Sequence, residues 1–151
     1  MKVIVIGPRG KMGKLITQVA AERDDMELVA GVAPAGRDYV GQDLGMVALI
    51  GRNLGVPVVD DLAAVIDGCD VIIDFSTREN ALKVLDLAVK HGKALVCGTT
   101  GFSEEEFARF KEAAKTIPML YAANTSKLVN IMNKLLEMVT KTLGEDADIE
   151  I

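Results

Sequence analysis

Three glycines, Gly7, Gly10 and Gly13, recur at G-x-x-G-x-x-G spacing in the segment Gly7-Pro8-Arg9-Gly10-Lys11-Met12-Gly13. Residues without a Cβ let the backbone approach an anion closely, and a helix beginning there points its free N–H groups at the same charge. A pyrophosphate is the group such a turn suits. The elements that must position it are on either side. Val3-Ile4-Val5-Ile6 is an apolar, β-branched run of the kind buried on both faces of a parallel sheet. Leu15, Ile16 and Val19 then recur at helical spacing. Strand, glycine turn and helix in that order form the first unit of a dinucleotide-binding βαβ fold. A ligand-free strand-to-helix turn can carry the same glycines, so the pattern needs the rest of the chain to give it meaning.

The rest of the chain keeps the alternation. A helix is expected from Gly10 or Lys11 to Glu22, and strands over Glu27–Val32, Val56–Val59, Val71–Phe75, Ala94–Cys97 and Met119–Ala122. Pro57 marks its strand as edge-like, because it cannot donate to a ladder. Asp60 or Asp61 is expected to cap a short helix through Ile66, Ser76 or Thr77 the helix that Gly92 ends, and Ser103 begins another through Ala114. Residues 33–55 read as a long loop with one helical turn near Gln42–Gly45. The class is α/β, a Rossmann-type doubly wound parallel sheet with right-handed crossovers. From Leu128 to Leu143 apolar residues fall at i, i+3, i+4 and i+7, an amphipathic helix capped near Thr125 or Ser126. Residues 147–151 alternate like the start of a strand. The division expected is 1–126 as the dinucleotide-binding domain, with 127–151 a helix and strand leading toward a substrate domain that is absent.

A chain of 151 residues, half of them hydrophobic, can bury one sizeable core. Its net charge of −5 argues against nucleic acid or a membrane surface as partner, since no basic excess exists to neutralise phosphates. Aromatic residues, at 4%, are too few for base-stacking platforms. No signal segment and no bilayer-length apolar run stand out, so a cytoplasmic protein is expected. Cys69 and Cys97 have no metal-ligand spacing and read as reduced packing residues; no metal site is expected. The one histidine, His91, precedes Gly92 and suits a helix C-terminus. Asp24-Asp25 and Asp60-Asp61 are turn and cap residues by position.

In an open parallel sheet a ligand lies beyond the carboxyl ends of the strands. Besides the glycine turn, the loops there are Phe75-Ser76-Thr77-Arg78, Gly98-Thr99-Thr100-Gly101-Phe102 and Ala123-Asn124-Thr125-Ser126. With VIVIGPRGKMG, DFSTRENAL, VCGTTGF, YAANTS and LLEMVTKTLGEDADIEI in that order and spacing, the chain resembles the amino-terminal domain of the dihydrodipicolinate reductases, enzymes of lysine and diaminopimelate synthesis. The resemblance covers essentially the whole chain. It implies that Gly7, Gly10, Lys11, Met12 and Gly13 form the pyrophosphate loop and that Phe75 and Ser76 lie beside the cofactor. It places Gly98, Thr99 and Thr100 by the nicotinamide, and Ala123, Asn124 and Ser126 near its carboxamide. By residue type alone, Thr99 and Thr100 equally suit a capped loop-to-helix junction, and Phe75 ordinary core.

Two departures from the family pattern matter. The carboxylate that grips the ribose 2′-hydroxyl of NAD belongs about 20 residues past the last glycine. That register falls at Ala33, followed by Pro34. A missing carboxylate removes repulsion toward a 2′-phosphate, and Arg9 or Arg37 can supply the cation. NADPH is therefore expected over NADH. The second departure is Thr125-Ser126-Lys127-Leu128, where the family shows an aromatic, a serine, a small apolar residue and glycine. The implied reaction, hydride transfer to a cyclic dicarboxylate, also needs a proton donor and cations that clamp carboxylates. In the family these come from a histidine- and lysine-rich motif and a Ser-Gly-Thr loop beyond a DIEI-like strand. No catalytic residue is assigned within this chain, and it is expected to bind the cofactor but to turn over little alone. The dicarboxylate substrate requires the missing domain, which also builds the homotetramer of the full-length family. The alternatives are a stand-alone nucleotide-binding or redox-sensing module, or another NAD(P)-dependent oxidoreductase on the same scaffold. Reading the encoding DNA past Ile151 separates enzyme from module.

Overall fold

The computed structural model describes residues 1–148, the Glu145 side chain apart, and divides the chain into two compact units, Met1–Tyr121 and Ala122–Ile151. The first unit is built on six parallel strands: β1 (Lys2–Ile6), β2 (Glu27–Val32), β3 (Val58–Val59), β4 (Val71–Asp74), β5 (Ala94–Cys97) and β6 (Met119–Tyr121). Their order across the sheet is β3-β2-β1-β4-β5-β6. The order reverses between β1 and β4, the switch point where a doubly wound sheet opens a ligand crevice. The four residues Val3–Ile6 are all buried, as their unbroken β-branched run requires at the centre of such a sheet.

Helices cover both faces. On one, Ile4, Ile6, Ile72, Leu95 and Cys97 pack with Leu85 and Ala88 of α3 (Arg78–His91) and Phe110 of α4 (Glu104–Ala113). On the other, Val3, Val5 and Val71 pack with Ile16 of α1 (Lys11–Ala21). The caps follow from side-chain chemistry. Thr77 accepts from the Asn80 N–H, Gly92 closes α3 at φ 62°, and Ser103 with Glu106 forms a reciprocal capping box.

Three local expectations change. The buried face of α1 is Gly13, Thr17 and Ala20, while Leu15 and Val19 are more than half exposed. The helix lies so close to the glycine turn that only small residues fit beneath it. No α-helix follows Asp61: its carboxylate accepts the Ala63 N–H at 2.9 Å, and a 3-10 turn over Ile66–Gly68 completes the connection. Residues 33–55 are more ordered than a long loop. A short α2 (Leu44–Val47) forms where Asp43 accepts N–H groups from Gly45, Leu54 and Gly55 at 2.7–2.9 Å.

In the second unit α5 (Lys127–Leu143) starts at Ser126, whose hydroxyl accepts the Val129 N–H. None of its residues is buried. A 3-10 turn over Gly144–Asp146 follows, and the strand expected over 147–151 falls largely outside the described residues. No helix among the described residues is long and apolar enough to cross a membrane.

Candidate functional site

The turn between β1 and α1 is built on its three glycines, each for a different reason. Gly7 takes φ +67°, a left-handed conformation that a side chain disfavours. Gly10 is the N-cap of α1, and no side chain caps the helix there. The first-turn N–H groups of Lys11, Met12 and Gly13 therefore face outward at the positive end of the helix dipole. A Cβ on Gly13 would lie 2.1 Å from the Gly7 carbonyl oxygen and 2.9 Å from Pro8 Cα. This is the close helix–strand approach that the third glycine of a dinucleotide fingerprint permits.

A cleft of about 660 Å³ opens beside this turn at the carboxyl edge of the sheet. Gly7 and Gly10 form part of one wall, and Phe75, Ser76, Thr77, Asn80 and Lys83 another. Ala33, Pro34, Arg37 and Tyr39 line its β2 end, with Asp60 and Asp61. Ser76 sits against the glycine turn, its Cβ 3.9 Å from where a Gly7 Cβ would lie. The Asn80 side-chain amide donates to the Ser76 hydroxyl at 3.0 Å and holds it at the α3 N-terminus. Behind the wall, the Phe75 ring lies on the bare backbone of Gly98, so near that a Cβ there would fall 2.0 Å from the ring. Thr99 is buried and Thr100 exposed. Thus Gly7, Gly10, Arg37, Phe75 and Ser76 reach the cleft wall. Lys11 and Met12 are exposed at the first turn of α1, and Gly13 is buried beneath it.

At the β2 end the structure answers where the two candidate cations stand. Arg9 donates to Asp38 at 2.9 Å and lies 4.9 Å from the centre of the Tyr39 ring. Arg37 is exposed on the cleft wall. Ala33 is buried, its N–H donating to the Val59 carbonyl at 2.9 Å, and presents no carboxylate. Asp60, Asp61, Asn80 and Lys83 were not singled out for this cleft by sequence. Asp60 and Asp61 come to it through the β2–β3 pairing, which only the position of Pro57 hinted at; Lys83 and Asn80 come through the first turns of α3. In the second unit Ala123, Asn124 and Ser126 are exposed; Asn124 accepts the Ser126 N–H at 2.8 Å, ahead of α5.

Two buried groups sit at the carboxyl ends of β4 and β5. Burial pushes the Asp74 carboxyl above the usual range, against its hydrogen bonds with Ser76. Burial likewise pushes the Cys97 thiol up to about 11, so it stays protonated and unreactive at neutral pH. Among the described residues no cluster of His, Cys, Asp and Glu could hold a metal ion.

Residues 1–125 match the family described as Dihydrodipicolinate reductase, N-terminus. This chain belongs to that family. It is 46% identical over 151 residues to the 4-hydroxy-tetrahydrodipicolinate reductase of Geobacter metallireducens, covering 100% of this chain and 56% of that protein. The enzyme of the same name from Hahella chejuensis is 41% identical over 150 residues, covering 99% of this chain and 56% of the relative. The chain therefore spans little more than half the length of these curated relatives. The dipicolinate-bound dihydrodipicolinate reductase of Paenisporosarcina sp. TG-14 superposes with a TM-score of 0.75 at 26% identity, covering 93% of this chain and 53% of that one. The Rossmann-type fold of the family is the fold seen here.

Proposed function

We propose that this chain is the cofactor-binding part of a 4-hydroxy-tetrahydrodipicolinate reductase in lysine and diaminopimelate synthesis, acting in the cytoplasm. In this reading residues 1–126 bind a nicotinamide dinucleotide, and 127–151 lead toward a substrate domain. The observation that carries it is the uncapped glycine turn opening on a cleft at the sheet's switch point, in a chain of this family. The cradle fits the group: Gly7 and Gly10 offer bare backbone, and the first turn of α1 offers N–H groups to a pyrophosphate.

Gly7, Gly10, Lys11, Met12 and Gly13 would hold the diphosphate. Phe75, Ser76, Gly98, Thr99 and Thr100 would bound the nicotinamide half, and Ala123, Asn124 and Ser126 its carboxamide. A bound dinucleotide supplies hydride for reduction of a cyclic dicarboxylate. What this chain contributes is position: the Asn80–Ser76 bond and the Phe75–Gly98 stack fix one wall of the cleft. NADPH is the preferred form, because the β2 end offers Arg37 and no carboxylate at Ala33. The dicarboxylate and the homotetramer belong to the longer protein.

Calorimetric titration of the chain with NADPH and NADH separately tests this. Both should bind, NADPH at least severalfold tighter. Gly10→Val should abolish both, since a branched side chain fills the cradle beside the Gly7 carbonyl. Undiminished affinity in that variant means the phosphate loop is elsewhere, and equal tight binding of NADH removes the argument from Ala33.

A further inference from the structure

We infer that Asp74 places a buried carboxyl behind the nicotinamide half of the cleft, whose ionised form favours the oxidised, positively charged ring over the reduced, neutral one. This rests on the dinucleotide reading above.

Asp74 ends β4 and is fully buried, in register with Ile6 of β1 on one side and Cys97 of β5 on the other. Its Oδ1 accepts the Ser76 N–H at 2.9 Å, and its backbone carbonyl accepts the Gly98 N–H at 2.9 Å. One residue thus joins the turn after β4 to the loop after β5. Its other oxygen, Oδ2, is buried with no hydrogen-bond partner; among the described residues only Thr99 Oγ1 shares that condition, at the end of the neighbouring strand. A carboxylate in this seat costs stability, and a neutral amide of the same shape would cost less. A destabilising group at the carboxyl edge of the sheet, rather than in the body of the core, points to the site.

The fold decides which half of the ligand it faces. In this strand order a bound dinucleotide would set its adenosine ribose at the end of β2 and its other nucleotide over β4 and β5. Phe75, the next residue, lines the cleft. The N-terminus of α3 follows at Thr77 and supports an anion through its dipole. In a poorly solvated setting a charge is felt across several ångströms. A positive ring is therefore bound better there than a neutral one.

The test is titration of the 151-residue chain with NADP+ and NADPH, comparing the parent with Asp74→Asn and Asp74→Ala. Asp74→Asn should fold, with an unfolding midpoint at or above the parent's. It should lose affinity for NADP+ relative to NADPH by about three- to tenfold. A purely structural part in the Ser76 turn would move both affinities together and be rescued by asparagine, whose Oδ1 still accepts the Ser76 N–H. An unchanged oxidised-to-reduced ratio in Asp74→Asn overturns the inference, as does failure of that variant to fold. If the parent binds neither dinucleotide, the site reading falls and takes this one with it. Parent binding with an unmoved ratio sinks this one alone.

Discussion

At Gly13 a single methyl group is too much. Its Cβ would meet backbone atoms of Gly7 and Pro8, which cannot rotate away, so α1 would have to lift from the sheet. Gly13→Ala should cost about 3 kcal/mol in denaturant unfolding with an unchanged m-value. Gly98→Ala differs because its obstacle is a side chain, the Phe75 ring. In a Phe75→Ala background the same change should cost clearly less, a coupling that a double-mutant cycle measures. Asp43 carries a pH signature. Its partial burial alone would raise its pKa, but the N–H groups of Leu54, Gly45, Gly55 and Val56 outweigh this and hold it below the usual 3.8. A carboxyl lowered on folding stabilises the protein fully above its unfolded pKa and loses that contribution as pH falls through the folded one. Unfolding midpoints should therefore fall below about pH 4 more steeply in the parent than in Asp43→Asn. Asp38→Asn should release Arg9 and widen any preference for a 2′-phosphate, read as a larger NADPH-to-NADH affinity ratio.

Elements were legible in proportion to how locally they are determined. Val3–Ile6, Val71–Ile73 and Ala94–Cys97 announce themselves because a strand buried on both faces needs consecutive apolar residues. Ser103 announced the start of α4 because a cap is a contact between neighbours in sequence; its partner Glu106 came with the structure. Ser103→Ala should accordingly cost about 1 kcal/mol. Arg109→Ala, which breaks an exposed pair with Asp86 of α3, should change stability by no more than about 0.5 kcal/mol. Of the apolar residues at helical spacing in α1, Ile16 packs on the sheet while Leu15 and Val19 stay exposed, because periodicity reports where apolar residues lie, not how near the sheet will come. Residues 33–55 were opaque because Asp43 organises them through partners up to Val56, a tertiary arrangement that no local pattern displays. The glycine turn of the candidate site was plain from spacing, whereas Asp60 and Asp61 reach the cleft only through the β2–β3 pairing and Lys83 through the turn of α3 it occupies.

For the molecule as a whole, α5 is the unfinished part. Leu128, Ile131, Leu135, Val139 and other apolar residues on it are 43–68% exposed, a stripe longer than a surface helix ordinarily leaves open. The chain should associate with rising concentration, and a Leu135→Lys, Val139→Lys double variant should shift sedimentation toward the monomer without loss of dinucleotide affinity. That association would have to run through helices, because the sheet offers little at its margins. Its outer strands, β3 and β6, are two and three residues long, and Pro57 and Pro118 stand immediately before them. A neighbouring chain that tried to extend the ladder would find few amides to answer it. The brevity of these two strands thus guards the protein against fibrous stacking.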